Sequence, residues 1–451
     1  MKLSKQIISR FNSPDTILVL SKYPYQNIAH SYHGVAKYTQ QTVGTVARST
    51  KQRFVVLVQQ EYDRKPQLLE RGRVLVLPVF SASPKMYLQI SQALRLFNKA
   101  KHLHIHSEFY TSGNMLQMAA ALPFYLALRS AGYFLSYFAH NVITNFGFLA
   151  RHLGRSQTGK TMQALTKLLP WYYRVLGMCL DQIICLDDSM RQRLSPYVAQ
   201  QKLVVSPLWV YPKNLKGRRY WRARMGFKPN DLVLVCFGFM TRYKGVDWLV
   251  NAVRDIAADQ LGDAELHLIL AGGKAPSQTG KTHYEQFYRS LSQAAVHSKN
   301  IRLTGFIPDA ELSRYFAVAD MAVLPYRGIL GASASWGEGI AYGVPFILSK
   351  DLGAYLQSGD IQELLAKHAI STDKLVFKRN KRSFVEHLRL LGKVSVRRKI
   401  AALAKDLAVQ RSPEVRLQEE LTTIYTSNPL RNTLEWQYVA RLKKLIPVFA
   451  P

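Results

Sequence analysis

The stretch Leu232–Asp247, LVLVCFGFMTRYKGVD, decides how this chain is read. Its first six residues are apolar without a break, which suits a parallel strand buried on both faces rather than an alternating, half-exposed one. The run ends at Gly238, a short loop carries Arg242 and Lys244, and the apolar-periodic VDWLVNAV begins at once. A phosphate held at such a strand–loop–helix corner would meet two cations and the start of a helix.

Working outward, the same strand-then-helix rhythm repeats on both sides. Downstream come LHLILAGG (266–273), IRLTGFI (301–307), MAVLPY (321–326) and VPFILS (344–349). Upstream, TILVL (16–20) opens a second series that runs through FVVLVQ, RVLVLPV, HLHIHS and YFLSYFAH to QIICL and LVVSPL. Alternation of this kind predicts parallel sheets covered on both faces. The fold class is therefore α/β, with two Rossmann-like domains facing a central cleft where the carboxyl ends of both sheets meet. The boundaries expected are 1–210 for the first domain and 211–395 for the second, with the proline- and charge-rich 211–231 as hinge. Residues 396–451 are expected to form basic helices packing back on the first domain.

The spelling also offers a competitor. Gly154–Thr161, GRSQTGKT, satisfies the phosphate-loop pattern, and SQTGKT recurs at 277–282. A phosphate loop needs a strand before it and a helix after it. GFLARHL, before Gly154, lacks the apolar run of a buried strand; the second copy follows a good strand but has Ala275 and Pro276 where the first glycine belongs. IICLDD (183–188) would be the magnesium-binding strand of that reading.

Composition narrows the partners. Lys and Arg number 61 against 29 Asp and Glu, a net charge of +32 that calls for an anionic partner: nucleic acid, an acidic membrane or a phosphorylated substrate. Between Arg151 and Arg224 stand fourteen Lys/Arg and three Asp, interleaved with the aromatic stretches LLPWYYRVLG and YWRARMGF, a mixture suited to lipid headgroups. The three cysteines, 179, 185 and 236, sit in apolar surroundings without metal-ligand spacing. The amino-terminal residues lack the apolar core of a cleaved signal, and the longest apolar stretch (118–140) is broken by Pro123 and Arg129. A cytoplasmic protein, peripheral on the inner face of the cell membrane, is the expectation.

Three stretches, FGF…RYKG, GFIPDAEL (305–312) and EGIAYGVP (338–345), occur in this order and resemble the C-terminal half of the retaining two-domain (GT-B) glycosyltransferases of the group 1, or family four, class. KYPYQNIAHSYHGVAKYTQQTV (22–43), HIHSEFYTSG and YFAHNVI resemble the N-terminal half, so that the likeness covers most of 16–360. What it implies is metal-independent transfer of a sugar, with retention, from a nucleotide-diphosphate donor of the UDP or GDP type to a lipid-linked or glycan acceptor in surface-polysaccharide assembly. No cofactor and no nucleic acid are then expected.

The resemblance also assigns residues. Arg242 and Lys244 match cations that neutralise the departing diphosphate, and His140 matches a histidine at the cleft floor near the sugar. Gly238 and the Gly331–Ser335 amides would line the phosphate site, Phe306 and Ile307 would border the base, and Glu338 would accept from the ribose hydroxyls. The glycine pair of the family's first loop is His33-Gly34 here, leaving Gly34 on the donor side. Leu330 stands where the family often has a second glutamate, so Ser333 or Ser335 would supply that polar contact. Glu108 is a candidate acceptor-side carboxylate or a loop cap, and Ser335–Glu338 also spells a capping box. His102, His104 and His106 alternate on one strand face, in a spacing open to a metal but explained as well by core packing. The alternatives are a nucleic-acid-binding or non-catalytic relative with this fold and, third, a P-loop NTPase.

Overall fold

The computed structural model describes residues 3–25, 34–60, 65–107, 115–154, 159–256 and 264–425. The chain divides into two compact units, one of Met1–Thr144, Leu168–Pro207 and Arg416–Pro451, the other of Asn145–Lys167 and Leu208–Val415; of each, only the described residues are meant below. Glu108 lies outside them, as does His33.

The first unit is built on β1 (Thr16–Leu20), β2 (Arg53–Gln59), β3 (Gln67–Leu69), β4 (Val74–Phe80), β5 (His102–Ser107), β6 (Phe134–Ala139), β7 (Gln182–Cys185) and β8 (Leu203–Val205), in the order β3-β4-β2-β1-β5-β6-β7-β8. All pairs are parallel except β3 with β4. Register keeps apolar residues level: Leu18 of β1 lies between Val55 of β2 and Leu103 of β5. Val55, Val56 and Leu57 are fully buried, as strands covered on both faces must be. Arg129, at the end of the helix Met115–Ser130, donates to Asp181 Oδ1 at 2.9 Å, and the other carboxylate oxygen accepts from Leu135 N at 2.9 Å. Residues after Arg416 close on this sheet: Ser206 Oγ donates to Glu420 Oε1 at 2.7 Å and Gln182 Nε2 to the Thr423 carbonyl at 2.8 Å.

The second unit carries β9 (Leu232–Phe237), β10 (Leu266–Ala271), β11 (Ile301–Leu303), β12 (Met321–Leu324), β13 (Phe346–Ser349) and β14 (Val376–Phe377), ordered β11-β10-β9-β12-β13-β14 and all parallel. Strand order reverses between β9 and β12, so a crevice opens beyond their carboxyl ends, the usual ligand position in such sheets. The fold is α/β with two Rossmann-like domains.

Both boundary regions differ from the sequence-derived ones. The helix Val394–Gln410 belongs to the second unit, with Ile400, Leu403, Ala404 and Leu407 buried in its core. The expected hinge contains the helix Arg218–Arg224, whose basic side chains do not all face solvent. Arg222 is buried, donating to Asp320 Oδ2 at 3.1 Å and to the carbonyls of Val318, Lys228 and Asp231 at 3.0, 2.7 and 2.8 Å. Arg218 donates to Asp320 Oδ1 at 2.7 Å and to the Ala319 carbonyl at 2.6 Å. Charge counted along the sequence looks like a lipid patch here because nothing local reveals the carboxylate about a hundred residues away.

Arg222→Met should therefore lower stability by about 3 kcal/mol, since Asp320 would stay buried with fewer partners. The exposed Arg219 and Arg224, changed to Gln, should each shift it by less than about 0.5 kcal/mol. Urea unfolding curves of the three variants check both expectations.

Candidate functional site

The corner after β9 is shaped by two glycines. Gly238 has φ +105°, and a Cβ there would stand 2.5 Å from Ser335 Oγ and 2.6 Å from Lys244 Nζ. Gly245 has φ +70°, and its Cβ would come within 2.0 Å of the Pro325 carbonyl oxygen. Glycine is needed at both, because backbone or charged groups fill the space a side chain would take. The consequence is that the loop Thr241–Gly245 lies tightly against the end of β12, and the helix Val246–Arg254 starts beside it.

Lys244 is only 8% exposed. Its ammonium donates to Ser335 Oγ at 3.0 Å and lies 5.7 Å from the ring centre of Tyr326. Burial by itself depresses its pKa, but the neighbouring Tyr326, Tyr243 and Cys236 outweigh that, and the net shift is upward. Lys244 is thus a held, charged group at neutral pH. Arg242 lies with its guanidinium 4.8 Å from the Phe287 ring centre, while its carbonyl accepts from Arg327, which also grips Asp247 through two bonds of 2.8 and 3.0 Å.

The loop after β12 supplies the other wall. Ser333 caps the helix Ala334–Ala341, accepting from Trp336 N at 3.2 Å, and Tyr326 Oη lies 3.3 Å from its Oγ. The capping-box spelling is thereby corrected: the cap is Ser333, not Ser335, whose hydroxyl is turned to Lys244. The Gly331 carbonyl accepts from Tyr355 Oη, tying the small-residue loop to the unit. Glu338 pairs with Lys213 Nζ at 2.6 Å, and the Lys213 amide donates to the Ala341 carbonyl at 2.8 Å. At the end of β11, Phe306 is exposed and Ile307 buried. The unit thus brings Gly238, Lys244 and Ser335 into one place, with Ser333 linked to them through Tyr326. Sequence reasoning missed Tyr326 and Lys213, the first closing the MAVLPY stretch, the second 125 residues from Glu338 with no local signal.

In the first unit, Gly34 opens the helix Gly34–Ser49, with open space where a Cβ would stand. His140, just past β6, has its Nε2 3.2 Å from His106 Nδ1 and its ring edge-on to Tyr38 at 5.2 Å. His106 stacks on Phe138 at 4.2 Å. Further along the strand, His102 Nε2 lies 3.0 Å from Ser136 Oγ and 2.9 Å from His104 Nε2, so these rings bond one another inside the core. Burial pushes the His102 imidazole down to about 3, and His104 and His106 well below the ordinary value for the same reason first.

The two phosphate-loop spellings take other roles. A 3-10 helix, Gly147–Leu153, precedes Gly154 in place of a strand. The second copy forms the loop before the helix Thr282–Val296, where Lys281 is the cap residue and Tyr284 Oη receives Ala275 N at 2.7 Å. Of the IICLDD strand end, Asp187 caps the helix Asp188–Leu194 by accepting from Met190 N at 3.0 Å. Among the described residues one group gathers three metal-type ligand atoms, Asp231, Glu265 and His267, all within 4.8 Å of one another. It stands at the amino-terminal ends of β9 and β10, opposite the Lys244 corner.

The buried histidines generate a pH expectation. They are neutral in the folded chain but protonate in the unfolded chain below about pH 6.5, so their share of stability is whole above that pH and is lost as pH falls toward 3. His102→Gln should flatten the acid limb by up to about 1.4 kcal/mol per pH unit. Urea unfolding at pH 7, 6 and 5 measures it, and parallel limbs for the two proteins would contradict the assignment.

Residues 231–393 match the family model of glycosyl transferases group 1. The putative glycosyltransferase YtcC of Bacillus subtilis is 29% identical over 135 residues, 30% of this chain and 30% of that protein, so the alignment spans under a third of the relative's length. Among solved structures, sucrose-phosphate synthase from Thermosynechococcus elongatus superposes with a TM-score of 0.64 at 14% identity, over 90% of this chain and 98% of that one. Anabaena HepE, in complex with UDP-glucose, gives 0.60 at 13% identity over 91% and 100%. The fold is that of the GT-B glycosyltransferases, and residues 231–393 carry the sequence pattern of the group 1 glycosyl transferases.

Proposed function

We propose that this chain is a glycosyltransferase that moves a sugar from a nucleotide-diphosphate donor. The observation that carries the reading is the buried, charged Lys244, held by Ser335 beside Gly238 where no side chain fits. A cation fixed in a low-dielectric corner costs no reorganisation when negative charge develops on a leaving diphosphate, and that is how such groups lower a barrier. The small residues from Gly331 to Ser335 leave backbone amides open to phosphate oxygens, and the helix from Ala334 adds its amino-terminal end. Arg242 is the second cation of the corner.

The finer assignments rest on the resemblance. Phe306 and Ile307 are assigned to the base, Glu338 to the ribose hydroxyls and His140 to the sugar; retention of configuration and independence of a metal follow the same family pattern. UDP is the first donor nucleotide to try, since HepE is described in complex with UDP-glucose. The excess of 61 Lys/Arg over 29 Asp/Glu supports an acceptor at an anionic surface, a lipid-linked or glycan chain at the inner face of the cell membrane, with the enzyme peripheral there. Among the described residues no helix is long and apolar enough to cross a membrane. Glu108 remains the acceptor-side candidate.

Lys244→Ala should reduce turnover by about 10² or more, read from nucleotide release with a UDP- or GDP-sugar. Lys160→Ala and Lys281→Ala should leave it within about threefold, because neither lysine is framed as a phosphate loop. A melting-temperature screen against UDP, GDP and ADP identifies the base, since a ligand that binds only the folded chain stabilises it. Wild-type turnover in the Lys244 variant would overturn the donor site. For Glu338→Gln, the lost charge-assisted bonds should weaken donor binding by about 1 to 3 kcal/mol. Titration calorimetry reads that loss, with Lys213→Gln as the control for their ion pair.

A further inference from the structure

One helix surface, on Lys160–Cys179, whose residues from Leu168 onward belong to the first unit, is chemically unlike the rest. Between Glu108 and Asp181 the sequence contains no Asp or Glu at all. Two helices of this acid-free stretch, Met115–Ser130 and Lys160–Cys179, touch at the end of the second: Cys179 Sγ donates to the Leu122 carbonyl at 3.4 Å, and Arg129 Nη1 to the Met178 carbonyl at 2.6 Å. Their inner faces are ordinary core, with Leu122, Tyr125, Leu128, Leu169, Tyr173 and Leu176 buried.

The outer face of the second helix is the anomaly. Leu168, Trp171 and Met178 are 58%, 60% and 68% exposed, three of the largest apolar exposures among the described residues. Lys167, Trp171, Arg174 and Met178 are spaced four, three and four apart, which puts them on one side of a helix, and both cations are exposed. The neighbouring helix adds exposed Ala119, Ala120 and Pro123, and its one cation, Arg129, is buried.

A face kept merely in water would carry mixed charges and few large apolar groups. A lipid surface selects the opposite: an apolar stripe, a tryptophan at headgroup level, cations to either side, and no carboxylate to be repelled. We propose that the outer face of the helix Lys160–Cys179, from Lys167 to Met178, with Ala119–Pro123 beside it, docks flat on an anionic bilayer. The occupant is the lipid surface itself; the helix lies on it and does not cross. This deepens the membrane-surface part of the function proposed above, and it names a patch different from the arginines 218–224.

The test is sedimentation of the full chain with vesicles of phosphatidylglycerol and phosphatidylcholine, against vesicles of phosphatidylcholine alone. The wild type should bind the anionic vesicles strongly and release from them as salt rises. Trp171→Glu should lower the bound fraction about tenfold and Lys167→Gln with Arg174→Gln severalfold, at unchanged melting temperature. Met178→Gln is a second, milder probe in case the glutamate disturbs folding. The exposed pair Arg398→Gln and Lys399→Gln should leave binding unchanged. Equal losses in that pair would mean that charge alone draws the protein to vesicles, and would overturn the docking face. So would full binding by the Trp171 and Met178 variants, or a Trp171 effect confined to self-association in sedimentation velocity. The nucleotide screen is independent: vesicle binding without any nucleotide response would sink the transferase reading and keep the face, and the reverse would sink the face alone.

Discussion

The adjacency of β9 and β12 is the constraint on which the Lys244 corner depends. The two strands belong to different crossovers, and Asp320, immediately before β12, joins them at their amino-terminal ends: its amide donates to the Val233 carbonyl at 2.7 Å and its Oδ2 accepts from Val233 N at 2.9 Å. A carboxylate buried among strand amides needs compensating charge, and Arg218 and Arg222 provide it. With the strands fixed at one end, their carboxyl ends are fixed at the other, and Lys244 and Ser335 meet there at 3.0 Å. The basic segment 218–224 is therefore part of the scaffold that sets the site, although it lies at the far end of the strands from it.

The same logic explains the packing at the corner itself. The Thr241–Gly245 loop can approach Pro325 only because position 245 has no Cβ, and Lys244 can reach Ser335 only because position 238 has none. A buried ammonium costs desolvation, which the Ser335 hydroxyl and the Tyr326 ring offset in part. The group is held and charged before any ligand arrives, the condition under which an electrostatic stabiliser is most effective. The histidines of the first unit show the opposite solution. His102 and His104 sit in an apolar sheet, bond each other and Ser136, and stay neutral because nothing there balances a charge.

The sequence by itself determined the two α/β series and most of their strands; β3 and β14, of three and two residues, are too short to leave a pattern and are not read from it. Strands covered on both faces must be apolar along their whole length, and that pattern is local, as in LVLVCF and LHLILA. It determined the cations of the corner too, since Arg242 and Lys244 follow the strand directly. Tertiary structure alone decided the rest, because partners far apart in sequence leave no mark on each other. Only the fold shows that Ser333 and not Ser335 caps its helix, that Glu338 pairs with Lys213, and that Arg222 serves Asp320 while Lys167, Arg174 and Trp171 face solvent. The unit boundaries belong to the same class: Asn145–Lys167 and Arg416 onward join units that are distant along the chain. A side chain's burial depends on what the whole fold lays over it, and local composition records the type of residue but not its cover.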